Sequence, residues 1–124
     1  MKKIILFIAL MMPMTIHAKS VEMLSMGECK ISYYCSCSEC SGPWGRQTAT
    51  GATCYEGRTV AVDPTVIAYG TKLLIDGHVY TAEDCGSSVK GDWIDIYLDD
   101  HEMTEELGIR YTDVYIVKGG GFDE

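Results

Sequence analysis

The sequence predicts a small all-β domain, a closed or nearly closed barrel of six short strands with one short helix. Six runs are rich in Val, Ile, Thr and Tyr, at 29–34, 58–62, 71–75, 78–83, 93–97 and 111–117. Turn signals separate them: Asp63-Pro64, Tyr69-Gly70, Asp76-Gly77 and Cys85-Gly86. No helical period runs longer than about two turns, so the layers must be built from strands.

Residues 1–18 read as a signal peptide. Lys2 and Lys3 precede an apolar run from Ile4 to Met14 that Pro13 interrupts, and Ala18 suits a cleavage site. The run is too short for an ordinary membrane span, so stable membrane insertion after cleavage is not expected. Residues 19–27 have no clear period and read as a leader, which starts the domain at 28 and ends it at 118. Within it, 29–34 alternates as a strand, with Ile31 and Tyr33 on one face and Ser32 and Tyr34 on the other. A long loop rich in Ser, Gly, Thr and Cys follows over 35–56. Loops of that length are usually functional or stapled. Trp44 serves there either as an anchor or as a stacking platform for a sugar ring. Near the other end, 99–107 reads as a helix capped by Asp99 with Glu102 three residues on, and ended by Gly108. Met103 and Leu107 supply its apolar stripe. The glycine-rich tail over 119–124 is expected to fray.

The formal net charge is −8, and loss of Lys2 and Lys3 on cleavage would make it two units more negative. Such acidity excludes nucleic acid as a partner, because phosphate binding needs basic patches. All six cysteines, Cys29, Cys35, Cys37, Cys40, Cys54 and Cys85, lie beyond the signal peptide. In an exported small domain an even count favours disulfides and no metal or other cofactor. A Cys85–Cys54 bond would fasten the Asp84 turn to the upstream loop. The rival reading is a zinc site on Cys35, Cys37 and Cys40, with Cys54 or Cys29 as fourth ligand.

Three aspartates carry the chemistry. Asp63 and Asp84 sit where strands give way to turns, and Asp95 lies between Ile94 and Ile96. If the isoleucines face the core, Asp95 faces outward; if not, it is a buried carboxylate that needs partners. Asp63 before Pro64 could equally cap a turn, and Asp84 before Cys-Gly could hold an Asx turn. His78 and His101 have no recognisable partner in the sequence.

The segments VAVDP, YGTKL, AEDCG and WIDIY, with YYCSCSEC and TATG upstream, resemble the 3D (three-aspartate) domain of secreted bacterial cell-wall proteins and the catalytic region of MltA-type lytic transglycosylases. The resemblance runs from about Ser32 to Ile116. It implies a six-stranded double-psi β-barrel and a protein of the cell envelope, extracellular or periplasmic, acting on peptidoglycan glycan strands; a monomer is expected. It assigns the acid/base to Asp95, with Asp84 and Asp63 completing the set. Thr48, Thr50, Tyr33, Lys90 and Trp44 are the groove candidates. The implied reaction is cleavage of the MurNAc–GlcNAc β-1,4 bond with formation of 1,6-anhydroMurNAc. One departure stands out: the family usually has Thr-Gly-Gly after the second aspartate, and this chain has Cys85-Gly86-Ser87. Because expansins share the fold, a non-catalytic, wall-loosening glycan binder is the alternative.

Overall fold

The computed structural model describes residues 20–119, so the signal-peptide reading of 1–18 and the tail 120–124 lie outside the described residues. Six strands form the domain: β1 (Val21–Tyr34), β2 (Thr59–Ala61), β3 (Lys72–Ile75), β4 (His78–Asp84), β5 (Trp93–Tyr97) and β6 (Arg110–Gly119). Two short helices, α1 (Ser38–Ser41) and α2 (His101–Leu107), and a 3-10 turn over Gly42–Trp44 complete it. Each strand is bonded to two neighbours, and the ring closes in the order β1-β5-β2-β4-β3-β6. Two of the pairings are parallel, β1 with β5 and β2 with β4.

Alternation along the strands fills the ring. Ile31, Val60, Val62, Leu73, Ile75, Ala82, Ile94, Ile96 and Val114 are almost wholly buried and form one apolar cluster. The intervening residues face away from it. The β3–β4 hairpin turns on Asp76 and Gly77, both at positive φ (50° and 79°), as a type I′ turn requires. Asp76 is held there by an ion pair with Arg110 on β6.

Three expectations shift. The predicted leader is part of β1, which starts at Val21 because 21–25 pair with the end of β6, carrying that strand through to Gly119. A bulge between Ser25 and Gly27 joins this ribbon to the rest of β1. Outside the ring the ribbon buries little, and Val21, Met23 and Leu24 stay exposed, so hydrophobic periodicity gave no signal there. The cap of α2 is Asp100, not Asp99: its carboxylate accepts from the Glu102 amide, while the Asp99 amide donates to Glu56. Gly108 does end the helix. The third shift concerns the cysteines. All six are free, so the disulfide expectation, Cys85–Cys54 included, is not met. Cys54 is instead buried beside the Tyr34 hydroxyl, at 3.8 Å.

Among the described residues no helix is long and apolar enough to cross a membrane. Leu73→Ala, at a fully buried position, is expected to cost about 2–5 kcal/mol in chemical denaturation. Met23→Ala in the exposed ribbon is expected to change stability by less than about 0.5 kcal/mol.

Candidate functional site

Asp95 is oriented by its neighbours in sequence. Ile94 and Ile96 point into the core, so its side chain leaves the ring on the outer face, of the two orientations the sequence allowed. Ala61 on β2 and Ser32 and Tyr34 on β1 emerge on the same side. Over them folds the long loop, packed through Tyr34, Cys54, Ala61 and Tyr97. The Tyr34 and Tyr97 rings meet edge to face at 5.5 Å. Between loop and ring lies a groove of about 760 Å³. Asp84, Asp95, Thr48, Thr50 and Trp44 line it together with Ala61 and Cys85.

Register sets the two carboxylates on either side of Ala61. Ala61 pairs with Asp95 on β5 and with Asp84 on β4. A register shift after Val60 brings Asp84, rather than Glu83, opposite Ala61. At about 4.8 Å per strand spacing the two aspartate backbones stand roughly 10 Å apart. Ala61 itself is buried, covered by Tyr34, Cys54 and Tyr97.

The two carboxylates have different surroundings. Asp84 accepts from the Tyr34 hydroxyl at 2.8 Å and from the Ala49 amide at 2.9 Å. The Ala49 amide belongs to the TATG turn, which is tied to the end of β4 by Thr50 Oγ1 donating to the Glu83 carbonyl at 2.8 Å. Thr48 is buried and donates to the Ala52 carbonyl at 2.8 Å. Both threonine hydroxyls therefore serve the turn that holds Asp84. Asp95 is half-buried. It accepts from Ser32 Oγ at 2.8 Å, and Ser32 in turn accepts from the Trp93 indole at 2.6 Å. Burial pushes its carboxyl up to about 6, aided by the charge on Asp84 and opposed by the Ser32 hydrogen bond.

Asp63 sits elsewhere. It is absent from the groove lining and holds a turn, accepting from the Thr65 amide and hydroxyl and from the Gly91 amide at 2.7–3.0 Å. These donors, the Gly91 amide foremost, lower its carboxyl to about 2, with a smaller contribution from Lys90. Lys90 thus acts on Asp63 and does not line the groove. Tyr33 lies outside it too, its hydroxyl accepting from Arg110 Nε at 3.0 Å. Trp44 is 67% exposed, which rules out a core role. Sequence reasoning missed Ser32, Trp93 and Tyr34 as partners of the acids. Ser32 and Asp95 are 63 residues apart, and only the parallel β1–β5 register reveals the pair.

The outer face of a small β-ring thus carries a groove that holds two carboxylates in unlike surroundings. Residues 58–118 match the model of the 3D domain, and the chain is a 3D domain protein. Two Bacillus subtilis (strain 168) proteins are similar to the chain in sequence. The putative cell wall shaping protein YabE is 34% identical over 90 residues, 69% of this chain and 21% of that protein. The cell wall-binding protein YocH is 31% identical over 74 residues, 56% of this chain and 26% of that protein. The chain thus spans about a fifth to a quarter of the curated relatives it matches. Among solved structures, MltA from E. coli, described as having a lytic transglycosylase fold, aligns with a TM-score of 0.49 and 26% identity over 58% of this chain and 27% of that one.

Two outcomes are expected from the carboxyl environments. Asp95 has a folded pKa above its ordinary 3.8, so the folded chain holds an extra proton between about pH 4 and 6. Its contribution to stability is complete below pH 4 and is lost as pH rises through 6. Asp95→Asn is therefore expected to be more stable than the parent at pH 7.5, by about 1–3 kcal/mol, with the gap closing by pH 4 in thermal melts. Asp63 behaves in the opposite sense. Its folded pKa is depressed, so its contribution is present above pH 4 and is lost as pH falls towards 2. Asp63→Asn is expected to flatten that part of the stability profile.

Proposed function

We propose that the chain is a peptidoglycan lytic transglycosylase of the cell envelope, cutting the MurNAc–GlcNAc β-1,4 bond with Asp95 as acid/base. The observation that carries this reading is a carboxyl with a pKa raised to about 6 in an open groove, beside a second carboxylate fixed by two donors. The names of YabE and YocH, which refer to the cell wall, agree with it. We also read the closed ring, with its two parallel pairs, as the double-psi β-barrel, and the chain as an exported protein whose first 18 residues are removed.

In this reaction protonated Asp95 delivers its proton to the glycosidic oxygen, and the C1–O4 bond breaks with the electron pair leaving on the GlcNAc oxygen. Positive charge develops at C1 of MurNAc. The 6-hydroxyl of the same sugar then attacks C1, and its proton passes to the Asp95 carboxylate, restoring the acid. No water is consumed. The nucleophile is already attached to the electrophile, which removes much of the entropic barrier. One acid/base group is therefore enough, whereas ordinary glycoside hydrolysis uses two. Asp84, held by Tyr34 and Ala49, keeps a negative charge near C1 and helps keep Asp95 protonated. The exposed Trp44 on the groove wall offers an apolar face for a sugar ring.

The test is mass spectrometry of purified peptidoglycan digested with the protein and with Asp95→Asn. Products ending in 1,6-anhydroMurNAc are expected from the first, and a loss of at least about 100-fold from the second. Reducing MurNAc ends would mean hydrolysis. Glycan binding with no products from either protein would instead identify an expansin-like binder, a reading that the exposed Trp44 and the Cys85-Gly86-Ser87 segment keep open. The activity of the parent is expected to fall about tenfold per pH unit above 6, as the acid form is lost. Ser32→Ala removes the one interaction that lowers the Asp95 pKa, and is expected to move that limb to higher pH.

A further inference from the structure

His101 had no partner in the sequence, yet three sulfurs converge on it. Its Nδ1 lies 3.4 Å from Cys35 Sγ, 3.3 Å from Cys37 Sγ and 3.5 Å from Cys40 Sγ. One imidazole nitrogen has a single lone pair or a single hydrogen, so it cannot hydrogen-bond three thiols at once. Four donor atoms that all lie within 4.8 Å of one another describe instead the corners of a coordination shell. The dimensions agree. With Zn–S near 2.3 Å and Zn–N near 2.0–2.1 Å, a tetrahedron has S···N edges of about 3.5 Å.

We propose that Cys35, Cys37, Cys40 and His101 form a closed, structural Cys3His site for a zinc ion. The alternative fourth ligands are placed elsewhere: Cys29 is buried in the core of the ring and Cys54 lies beside Tyr34. The two components come from different parts of the fold. The three cysteines lie on and just before the single turn of α1, and His101 is the first residue of α2. Within α1, Ser41 ties the turn together through its amide to the Cys37 carbonyl and its hydroxyl to the Cys35 carbonyl. The surroundings of the histidine complete the site. Its other nitrogen, Nε2, faces Glu39 Oε2 at 3.7 Å and Glu105 Oε2 at 3.8 Å. Two carboxylates there favour the tautomer with hydrogen on Nε2, which leaves the Nδ1 lone pair directed at the sulfurs.

On binding, three S–H bonds are lost and three Zn–S bonds and one Zn–Nδ1 bond form. The three protons go to solvent, no electron is transferred, and the assembled centre carries a net charge of −1. With four protein ligands, no position is left for water, so the ion fastens structure rather than activating a nucleophile. What it fastens is the groove wall. Cys40 and Ser41 line the groove directly, and Trp44 follows within the next turn. The ion would clamp this wall to α2.

The full chain, purified under reducing conditions, is loaded with zinc and freed of excess metal, and its metal is measured by elemental analysis. One zinc per chain is expected, with three thiols slow to react until a chelator is added. Cobalt in place of zinc is expected to give the strong visible bands of a tetrahedral thiolate site. Cys37→Ser and His101→Ala are expected to lose retained metal, and Glu105→Gln to weaken it by about 10-fold or more. Asp95→Asn is expected to retain the ion fully, so the result is independent of catalysis. If a variant fails to fold, the cobalt spectrum of the parent still decides. A folded parent that retains no zinc and gives no tetrahedral cobalt bands overturns the proposal, as does a disulfide among Cys35, Cys37 and Cys40 in the exported protein.

Discussion

The three residues of β2 are the constraint on which the site depends. This short strand is hydrogen-bonded on one side to β4 and on the other to β5, so it fixes the separation of Asp84 and Asp95 through the backbone. Val60 anchors it in the core, and Ala61 faces the groove. No flexible loop intervenes between the two acids. Their spacing is therefore set by the backbone of the ring itself.

Around that strand the polar groups are nearly all committed. Tyr34 and the TATG turn serve Asp84, Ser32 and Trp93 serve Asp95, and Thr65 with Gly91 serve Asp63. Three aspartates that look alike in the sequence thus meet three different environments. One is surrounded by donors and held far down the acid scale, one is gripped by two, and one is desolvated with a single donor. Environment, not residue type, sets the three apart.

Much of the fold was legible because it rests on local chemistry. Alternating Val and Ile positions marked the strands, Asp76-Gly77 marked the hairpin, and Gly108 marked the end of α2. The site was legible in part. Asp95 stood out as a charge between two isoleucines, and Asp84 and Trp44 also reach the groove. What stayed hidden depends on pairing between distant segments. The register shift after Val60 decides that Asp84 rather than Glu83 faces the groove, and no composition signal encodes it. Cys35, Cys37 and Cys40 were weighed as a zinc site, but His101 as their fourth neighbour was hidden for the same reason, since it lies more than 60 residues away along the chain. Export favoured disulfides over a metal centre only as a generalisation about compartments, and it could not see where the imidazole goes.

The 63-residue separation between Ser32 and Asp95 also bears on how the molecule matures. Parallel pairing of β1 with β5 joins segments far apart along the chain, and such non-local contacts are slow to form. Until they form, Asp95 lacks both the burial that raises its carboxyl and the Ser32 hydroxyl from which it accepts. The raised carboxyl of Asp95 is thus a property of the closed ring and not of the segment that carries it: a chain in which β1 and β5 have not paired lacks it.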